Sequence, residues 1–427
     1  MSLQPVAKTP EEQLDHLLIQ EQKLVRKINA AQRAGKKEKA RKARQHYLRC
    51  AASKARAAYE ISRKDKLKWS PETILHKANT ISLWHQPTAA PRFRPKRKQN
   101  GGTRPVQAFA KDDKIRQRVI ANLLNQCNQF VDYAYDIRGR GMHKLIADLK
   151  LRIEDGYKFV LYLDISSYFD NVNTNNAHSA LHLPKTVVEN VLTNSIAGFS
   201  SPHGSTSVSR RLHRTNNRSN SINGAQDRTS KRTRGIPQGS AASPVAATLL
   251  LGDLRHHLPK GVVLLAYRDD IIVLARQRAE ACTALKSLEE ALKDHPAGPL
   301  ELGKINIRQI SHGITLLGRH FKTLRGQLTV RAAGKGARNF QSKMFDRVLQ
   351  DIQEGKCEPF HSLQYVNGWA AHYKDCNGIE QFRDLHLQRC QTSHVIALNC
   401  VKKNMTPARI KWTLKGYWRK WDTPRYD

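Results

Sequence analysis

Acidic residues are scarce in this sequence. It has 36 Asp and Glu against 73 Lys and Arg, which gives its 427 residues a formal net charge of +37. Such an excess is larger than solubility requires, and it indicates a polyanionic partner. Nucleic acid is the first candidate, and an anionic membrane surface is the second.

Long apolar runs and paired cysteines are also lacking. No stretch of 18 apolar residues occurs, so we predict no membrane span and no membrane partner. The first residues, MSLQPVAKTPEEQ, contain no apolar segment typical of a signal peptide. The seven cysteines form no C-x-x-C pair, which argues against zinc sites and for a reducing compartment. We therefore expect a cytoplasmic protein.

Two adjacent carboxylates stand between two apolar runs in the stretch Leu264–Leu274, LLAYRDDIIVL. Runs this short and this rich in Val and Ile are typical of buried strands, so the stretch predicts a β-hairpin with Asp269 and Asp270 at its tip. Burying two neighbouring carboxylates is costly unless a cation compensates them. A divalent cation with oxygen ligands would do so. The alternative is an ordinary Asp-Asp turn.

Two other stretches favour the metal site. Val160–Asn173, VLYLDISSYFDNVN, carries Asp164 at the end of an apolar strand. Gly235–Leu251, GIPQGSAASPVAATLLL, is a Gly/Pro loop followed by an apolar helix. Together the three stretches resemble the palm motifs of reverse transcriptases, D-I-x-x-F-F-D, G-x-P-Q-G-x-x-x-S-P and Y-x-D-D, in the same order and spacing. The sequence is thus similar to bacterial reverse transcriptases of the group II intron and retron type.

This resemblance implies an α+β fold shaped like a right hand. It would have fingers, a palm made of an antiparallel sheet plus helices, and a helical thumb, all preceded by a basic helical N-terminal extension. The expected bounds are 1–68 for the extension, 69–155 for the fingers, 156–330 for the palm and 331–427 for the thumb with a basic and aromatic tail. A polar insertion at 198–234 interrupts the palm.

Nucleotidyl transfer is the chemistry that these motifs imply. It uses two Mg²⁺ ions, for which Mn²⁺ is a substitute, to activate a 3′-hydroxyl and to neutralise the leaving pyrophosphate. The expected metal ligands are Asp164, Asp269, Asp270 and, by the resemblance, the backbone carbonyl of Ile165. Lys304 would protonate the pyrophosphate as a general acid. Asp170 would orient the following turn rather than bind metal.

The incoming nucleotide is expected to lie against a second set of residues. The segment 92–120, RFRPKRKQNGGTRPVQAFAKDDKIRQRVI, resembles the fingers hairpin P-K-x-N-G-x-x-R-P-L-x-I-P, although the family's Ile-Pro is Phe-Ala here. By position, Lys96 or Arg97 together with Arg104 would hold the triphosphate. A basic surface hairpin without nucleotide contact is the alternative. The resemblance also places Gln238 against the nucleotide or the template base.

Phe169 is the expected selector of the sugar. It follows Asp164 by five residues, so its ring would lie beneath the sugar and leave no room for a 2′-hydroxyl. Tyr168 would then face the core, although the two roles could be exchanged. Arg268 departs from the family pattern, which commonly has a small or apolar residue there. Its charge would either hold a nucleic-acid phosphate or compete with Mg²⁺.

Three regions outside these motifs suit RNA. Residues 11–65 predict two basic helices, which form either an RNA-binding arm or a pair packed on the fingers. The insertion at 198–234 has almost no large apolar residue, so it is either a mobile loop or a segment that folds on RNA. The tail interleaves Trp412, Trp418 and Trp421 with basic residues, which suits base stacking and packing on the thumb equally.

The sequence therefore predicts an RNA-directed DNA polymerase. Its expected partners are a structured, dedicated non-coding RNA template, deoxynucleoside triphosphates and a DNA product. The compact size and the lack of an endonuclease module after the thumb favour a retron-like or antiphage defence role. The alternatives are a group II intron-type maturase that binds RNA, and a template-independent terminal transferase or an RNA polymerase. The sequence does not indicate an oligomeric state.

Overall fold

The structure is a computed structural model, and it describes residues 8–87, 89, 91–97, 103–193 and 235–419. The polar insertion predicted at 198–234 and the tail residue Trp421 lie outside these residues. The fold is α+β, as predicted, with helices at both ends of the chain and antiparallel sheets between them.

The chain begins with helices, namely α1 (Pro10–Arg33), α2 (Lys37–Arg49), α3 (Ala51–Lys64) and α4 (Pro71–Thr80). A break between α1 and α2 lies at Gly35, whose φ of +66° suits glycine. The prediction of two helices before residue 65 is wrong, because Cys50 is extended (φ −70°, ψ 151°) and separates α2 from α3. The hydroxyl of Ser53 donates to the carbonyl of Cys50 at 3.1 Å, so the break has its own hydrogen bond.

The first three of these helices pack on α5 (Lys111–Cys127), whose C-terminal carbonyls would otherwise lack partners. Asn29 donates to the Gln126 carbonyl and Gln32 to the Cys127 carbonyl, both at 2.9 Å. The buried guanidinium of Arg44 also donates to the Cys127 carbonyl at 2.8 Å. The predicted alternative of packing on the fingers therefore holds for the inner side of these helices.

A β-hairpin leads into α5. Its strands are β1 (Arg92–Arg97) and β2 (Thr103–Ala108), which pair antiparallel. After α5, an irregular segment leads to α6 (Met142–Glu154) and then to the strand β3 (Phe159–Ile165).

The central sheet consists of β3 together with β4 (Val263–Tyr267), β5 (Asp270–Ala275) and β6 (Leu302–Gln309). Its strand order is β4-β5-β3-β6, and it is antiparallel throughout. Because side chains alternate along a strand, the sheet buries both faces. Leu161 and Leu163 of β3 join the core shared with α5, whereas Val160 joins the core shared with α6. The sheet is thus the middle layer of the molecule.

Helices cover the face of the central sheet that carries Leu161 and Leu163. Between β3 and the undescribed segment lie α7 (Tyr168–Asn171), α8 (Ala177–Ala180), α9 (Lys185–Val187) and a π-helical turn at Val188–Thr193. After it come α10 (Ser243–Leu251), a 3₁₀ turn at Arg255–His257, and α11 (Arg278–Lys293).

A small sheet and a helical bundle complete the chain. The sheet has the order β7 (Ile314–Leu316), β8 (Arg319–Leu324) and β9 (Gln327–Ala332). The bundle is formed by α12 (Gly334–Arg338), α13 (Phe340–Gln353), α14 (Phe360–His372), α15 (Ile379–Lys402) and α16 (Pro407–Arg419). The buried Arg319 joins the two, because its Nε donates to the Asp375 carboxylate at 2.8 Å.

The tail tryptophans have different environments. Trp418 is buried, and its indole N–H donates to the Ser393 hydroxyl at 3.0 Å. Trp412 is 76% exposed. Packing therefore accounts for Trp418, while a stacking role stays a prediction for Trp412.

Candidate active site

The central sheet brings the three predicted carboxylates to one edge. Asp164 near the end of β3 pairs directly with Asp270 at the start of β5. Asp269 lies in the two-residue turn between β4 and β5, and its carbonyl accepts from the Ile165 amide at 3.2 Å. The hairpin predicted from LLAYRDDIIVL is present, and its pairing with β3 gathers all three acidic residues.

The carboxylate of Asp270 is in an unfavourable electrostatic position. Burial raises its pKa, and so do the neighbouring charges of Asp269 and Asp164, which brings it to about 6. A hydrogen bond from the Tyr162 hydroxyl and the charge of Lys304 act in the opposite direction. A site that raises the pKa of a carboxyl in this way gains free energy when a cation enters it.

Tyr162 is a site residue that the sequence analysis did not name. It lies two residues before Asp164 on β3, so its side chain is on the same face. Its hydroxyl donates to Asp270, and burial together with this contact raises the pKa of the phenol above its usual range. The two-residue spacing before Asp164 was the available sequence signal.

Lys304 lies on β6, the neighbour of β3 on the opposite side from β5. It is exposed, and its charge lowers the pKa of Asp270. The preceding Gly303 sits against Asp164, where an added Cβ would be 3.5 Å from the Asp164 Oδ2 atom. The structure therefore places Lys304 beside the carboxylates, and its role as a proton donor stays a prediction.

The donors at this edge suit Mg²⁺. They are carboxylate oxygens, without sulfur or imidazole, and Mg²⁺ binds one or two carboxylates together with substrate phosphates. Across the described part of the chain, no three His, Cys, Asp or Glu side chains are arranged to enclose a metal by themselves. The residues thus fit ions that substrate phosphates help to hold. The metal-binding roles of Asp164, Ile165, Asp269 and Asp270 remain predictions.

A loop with the sequence GIPQG connects the carboxylate edge to the β1–β2 hairpin. The side-chain amide of Gln238 donates to both carboxylate oxygens of Asp170 at 3.2 Å. The Gln238 carbonyl accepts from the backbone amide of Gln107 on β2 at 2.8 Å. A Cβ at Gly239 would collide with the Gln107 carbonyl, and the φ of +107° also requires glycine. Asp170 therefore orients this distant loop, a contact that the sequence analysis, which assigned it to the turn that follows it, did not foresee.

The two aromatic residues after Asp164 have the expected relative positions. Tyr168 is buried, and its hydroxyl donates to the Ala247 carbonyl at 2.7 Å. Phe169 is only partly buried, and its ring meets that of Tyr168 edge-on at 6.1 Å between centroids. The Phe169 carbonyl accepts from the Ile236 amide at 2.8 Å, which fixes Phe169 against the GIPQG loop. Of the two rings, Phe169 is therefore the more accessible, and its contact with the sugar stays a prediction.

The predicted triphosphate ligands lie on the paired hairpin strands. Lys96 is opposite Arg104, and Arg97 is opposite Thr103. The side chains of Lys96, Arg97 and Arg104 are outside the described part of the structure, so their nucleotide contacts stay predictions.

A family model described as "Reverse transcriptase (RNA-dependent DNA polymerase)" matches residues 95–321, which is more than half of the chain. No curated protein matches the sequence. Within the described residues, no helix is both long enough and apolar enough to cross a membrane.

Among solved structures, telomerase from Candida albicans in complex with the TWJ fragment of telomeric RNA aligns at a TM-score of 0.37 and 9% identity, over 69% of this chain and 56% of that chain. Apo telomerase from Candida tropicalis, truncated from the C-terminal domain, aligns at a TM-score of 0.33 and 11% identity, over 58% of this chain and 56% of that chain. This chain thus spans little more than half the length of either. On the family match, the chain belongs to the reverse transcriptase (RNA-dependent DNA polymerase) family.

Proposed function

We propose that this protein copies an RNA template into DNA, with Asp164, Asp269 and Asp270 as the catalytic carboxylates. The observation that carries the proposal is the register of the central sheet. It pairs Asp164 with Asp270 and sets Asp269 beside them at the tip of the β4–β5 hairpin. Three carboxylates at one edge of a fold that belongs to this family support nucleotidyl transfer over a binding role alone.

Bound Mg²⁺ ions, or Mn²⁺ in their place, would make the attacking 3′-hydroxyl more acidic and would neutralise the charge of the leaving pyrophosphate. The protein's own residues hold the reacting groups. Tyr162 fixes the Asp270 carboxylate by hydrogen bonding to one of its oxygens. Lys304, which is exposed beside these acids, donates a proton to the departing pyrophosphate.

The nucleotide lies between the carboxylates and the GIPQG loop in this proposal. Phe169 contacts the sugar and excludes a 2′-hydroxyl, so deoxynucleotides are used in preference to ribonucleotides. Gln238 is held by Asp170 at the same edge, where it meets the nucleotide or its template partner. Lys96 or Arg97, together with Arg104, holds the triphosphate in this proposal.

The template is proposed to be a structured non-coding RNA that is bound in part by the N-terminal helices. An open groove of about 520 Å³ lies between α1 and α2, and its lining includes Lys27, Lys39, Lys42 and His46. Together with the net charge of +37, this groove supports phosphate binding. We further propose that the protein works in a retron-like or antiphage defence system. Sequencing the nucleic acid that copurifies with the protein tests it, and a random RNA population would contradict it.

Primer extension on an RNA template tests the proposed activity. The variant with Asp269→Ala and Asp270→Ala should give no extension while keeping the circular dichroism spectrum of the fold. Asp294→Asn is a matched control, because Asp294 is an exposed acid at the end of α11. Extension by the double variant would reject the carboxylate assignment. Extension by the wild type without a template would favour a terminal transferase instead.

A further inference from the structure

Arg268 places a positive charge directly before Asp269. It occupies the first position of the β4–β5 turn, with a φ of +61°. The side chain is exposed, and its guanidinium lies 5.5 Å from the centre of the Tyr267 ring. A flexible cation in this position competes with a divalent metal for the carboxylates unless another group holds it.

Asp136 is positioned to hold it. The segment before α6 runs beside β4, because Ala134 forms a parallel bridge with Ala266. The amide of Ala266 donates to the Tyr133 carbonyl at 2.8 Å, and the Tyr135 amide donates to the Ala266 carbonyl at 2.9 Å. Two residues beyond the bridge in each of the two segments, this parallel register brings Asp136 beside Arg268.

The contacts of Asp136 connect three elements. The Thr248 hydroxyl of α10 donates to its carboxylate at 2.9 Å. The nearby positive charge of Arg268 also lowers the pKa of Asp136, which agrees with the backbone register that sets the two residues side by side. Burial opposes these contacts by raising the pKa of Asp136, so an unpaired Asp136 would be unfavourable there. The charge of Arg268 therefore offsets part of the cost of burying an ionised Asp136.

We propose that Asp136 is a positioning residue, which holds Arg268 away from Asp269 and Asp270 and so keeps both available to a divalent cation. The inference rests on the proposed function, because it assumes that these carboxylates bind metal. Without the negative charge of Asp136, Arg268 would be drawn to the carboxylates of the hairpin itself, the first of which belongs to its sequence neighbour Asp269. The metal would then have to displace a guanidinium.

The test is a titration of the purified full-length protein with Mn²⁺, in which the electron paramagnetic resonance signal of free Mn²⁺ reports binding. Asp136→Asn keeps the size and a hydrogen-bond acceptor but removes the charge, and it should weaken Mn²⁺ binding about tenfold, which is in the range for losing a residue that supports metal ligands. Adding Arg268→Gln should restore binding to within about twofold of the wild type. Thr248→Val is the control, because it removes a hydrogen bond to Asp136 without changing any charge.

Two results would overturn the proposal. Unchanged Mn²⁺ binding by Asp136→Asn would show that its charge is not used. Weak binding that Arg268→Gln does not restore would show that Asp136 acts on the fold and not through Arg268. The titration needs no turnover, so it still decides the role of Asp136 if the wild type fails to extend a primer. Such a failure would reject only the proposed polymerase activity.

Discussion

The raised pKa of Asp270 leads to a prediction that separates stability from activity. Asp270→Asn replaces a charged group by a neutral one of the same shape, and its amide oxygen can still accept the hydrogen bond from Tyr162. In the metal-free protein at neutral pH, this change removes a partly buried charge that is repelled by Asp269 and Asp164. The variant should therefore be more stable than the wild type and catalytically inactive.

The size of the effect follows from the pKa. The carboxyl rises from 3.8 to about 6, and at about 1.4 kcal/mol per pH unit this gives up to about 3 kcal/mol of unfolding free energy. Because the folded pKa exceeds the unfolded one, ionisation destabilises the fold. The penalty is absent below pH 3.8, grows as pH rises to about 6, and is complete above that.

Urea denaturation in the presence of EDTA measures this difference. The advantage of Asp270→Asn over the wild type should be largest at pH 7 and should shrink as pH falls towards 4. Mg²⁺ should then stabilise the wild type more than the variant. The control Asp294→Asn should stay within about 0.5 kcal/mol of the wild type, as is usual for exposed positions. If Asp270→Asn were equally or less stable at pH 7 without metal, the electrostatic reasoning would be refuted.

Three more predictions concern other parts of the molecule. Phe169→Ala should relax the preference for deoxynucleotides mainly by improving ribonucleotide use in single-nucleotide extension, and a parallel loss of both sugars would reject Phe169 as the sugar selector. Neutralising all five Lys and Arg residues between positions 36 and 42 should weaken RNA binding and flatten its salt dependence. The slope of the logarithm of the binding constant against the logarithm of the salt concentration should fall by up to about 4 if each residue contacts one phosphate. An unchanged slope would exclude these helices from RNA binding. Arg319→Ala should cost about 3 kcal/mol in a denaturation experiment, because it removes the buried guanidinium from the Asp375 carboxylate and leaves only the His143 ring beside it. A loss below 1 kcal/mol would show that the ion pair does not join the small sheet to the bundle.

The carboxylate edge was predictable because local patterns specify it. Two Val- and Ile-rich runs around Asp269 and Asp270 predict a hairpin, and the structure has one with its turn at Arg268 and Asp269. The strand ending near Asp164 was equally clear from its apolar run. What the sequence could not give was the pairing of β3 with β5, because register between distant strands depends on the whole core.

Other features escaped prediction for physical reasons. The break at Cys50 lies in an Ala- and Arg-rich run without Gly or Pro, so helix propensity alone favours one continuous helix. Arg44 looked like one more basic surface residue, yet it is buried against the end of α5. Asp136 belongs to an irregular segment whose position depends on a bridge to β4. Each of these depends on a contact between residues far apart in the chain.

The hydrogen bond between Gln107 and the GIPQG loop has a consequence for motion. The base of the β1–β2 hairpin is fixed there, because Gly239 leaves no space between the loop and β2 and because Gln238 accepts from the Gln107 amide. A hairpin that closes over a substrate and opens again cannot swing from its base without breaking this contact. Any bending of the hairpin is therefore confined to the paired strands on the far side of Gln107, and the GIPQG loop and the carboxylate edge keep their positions.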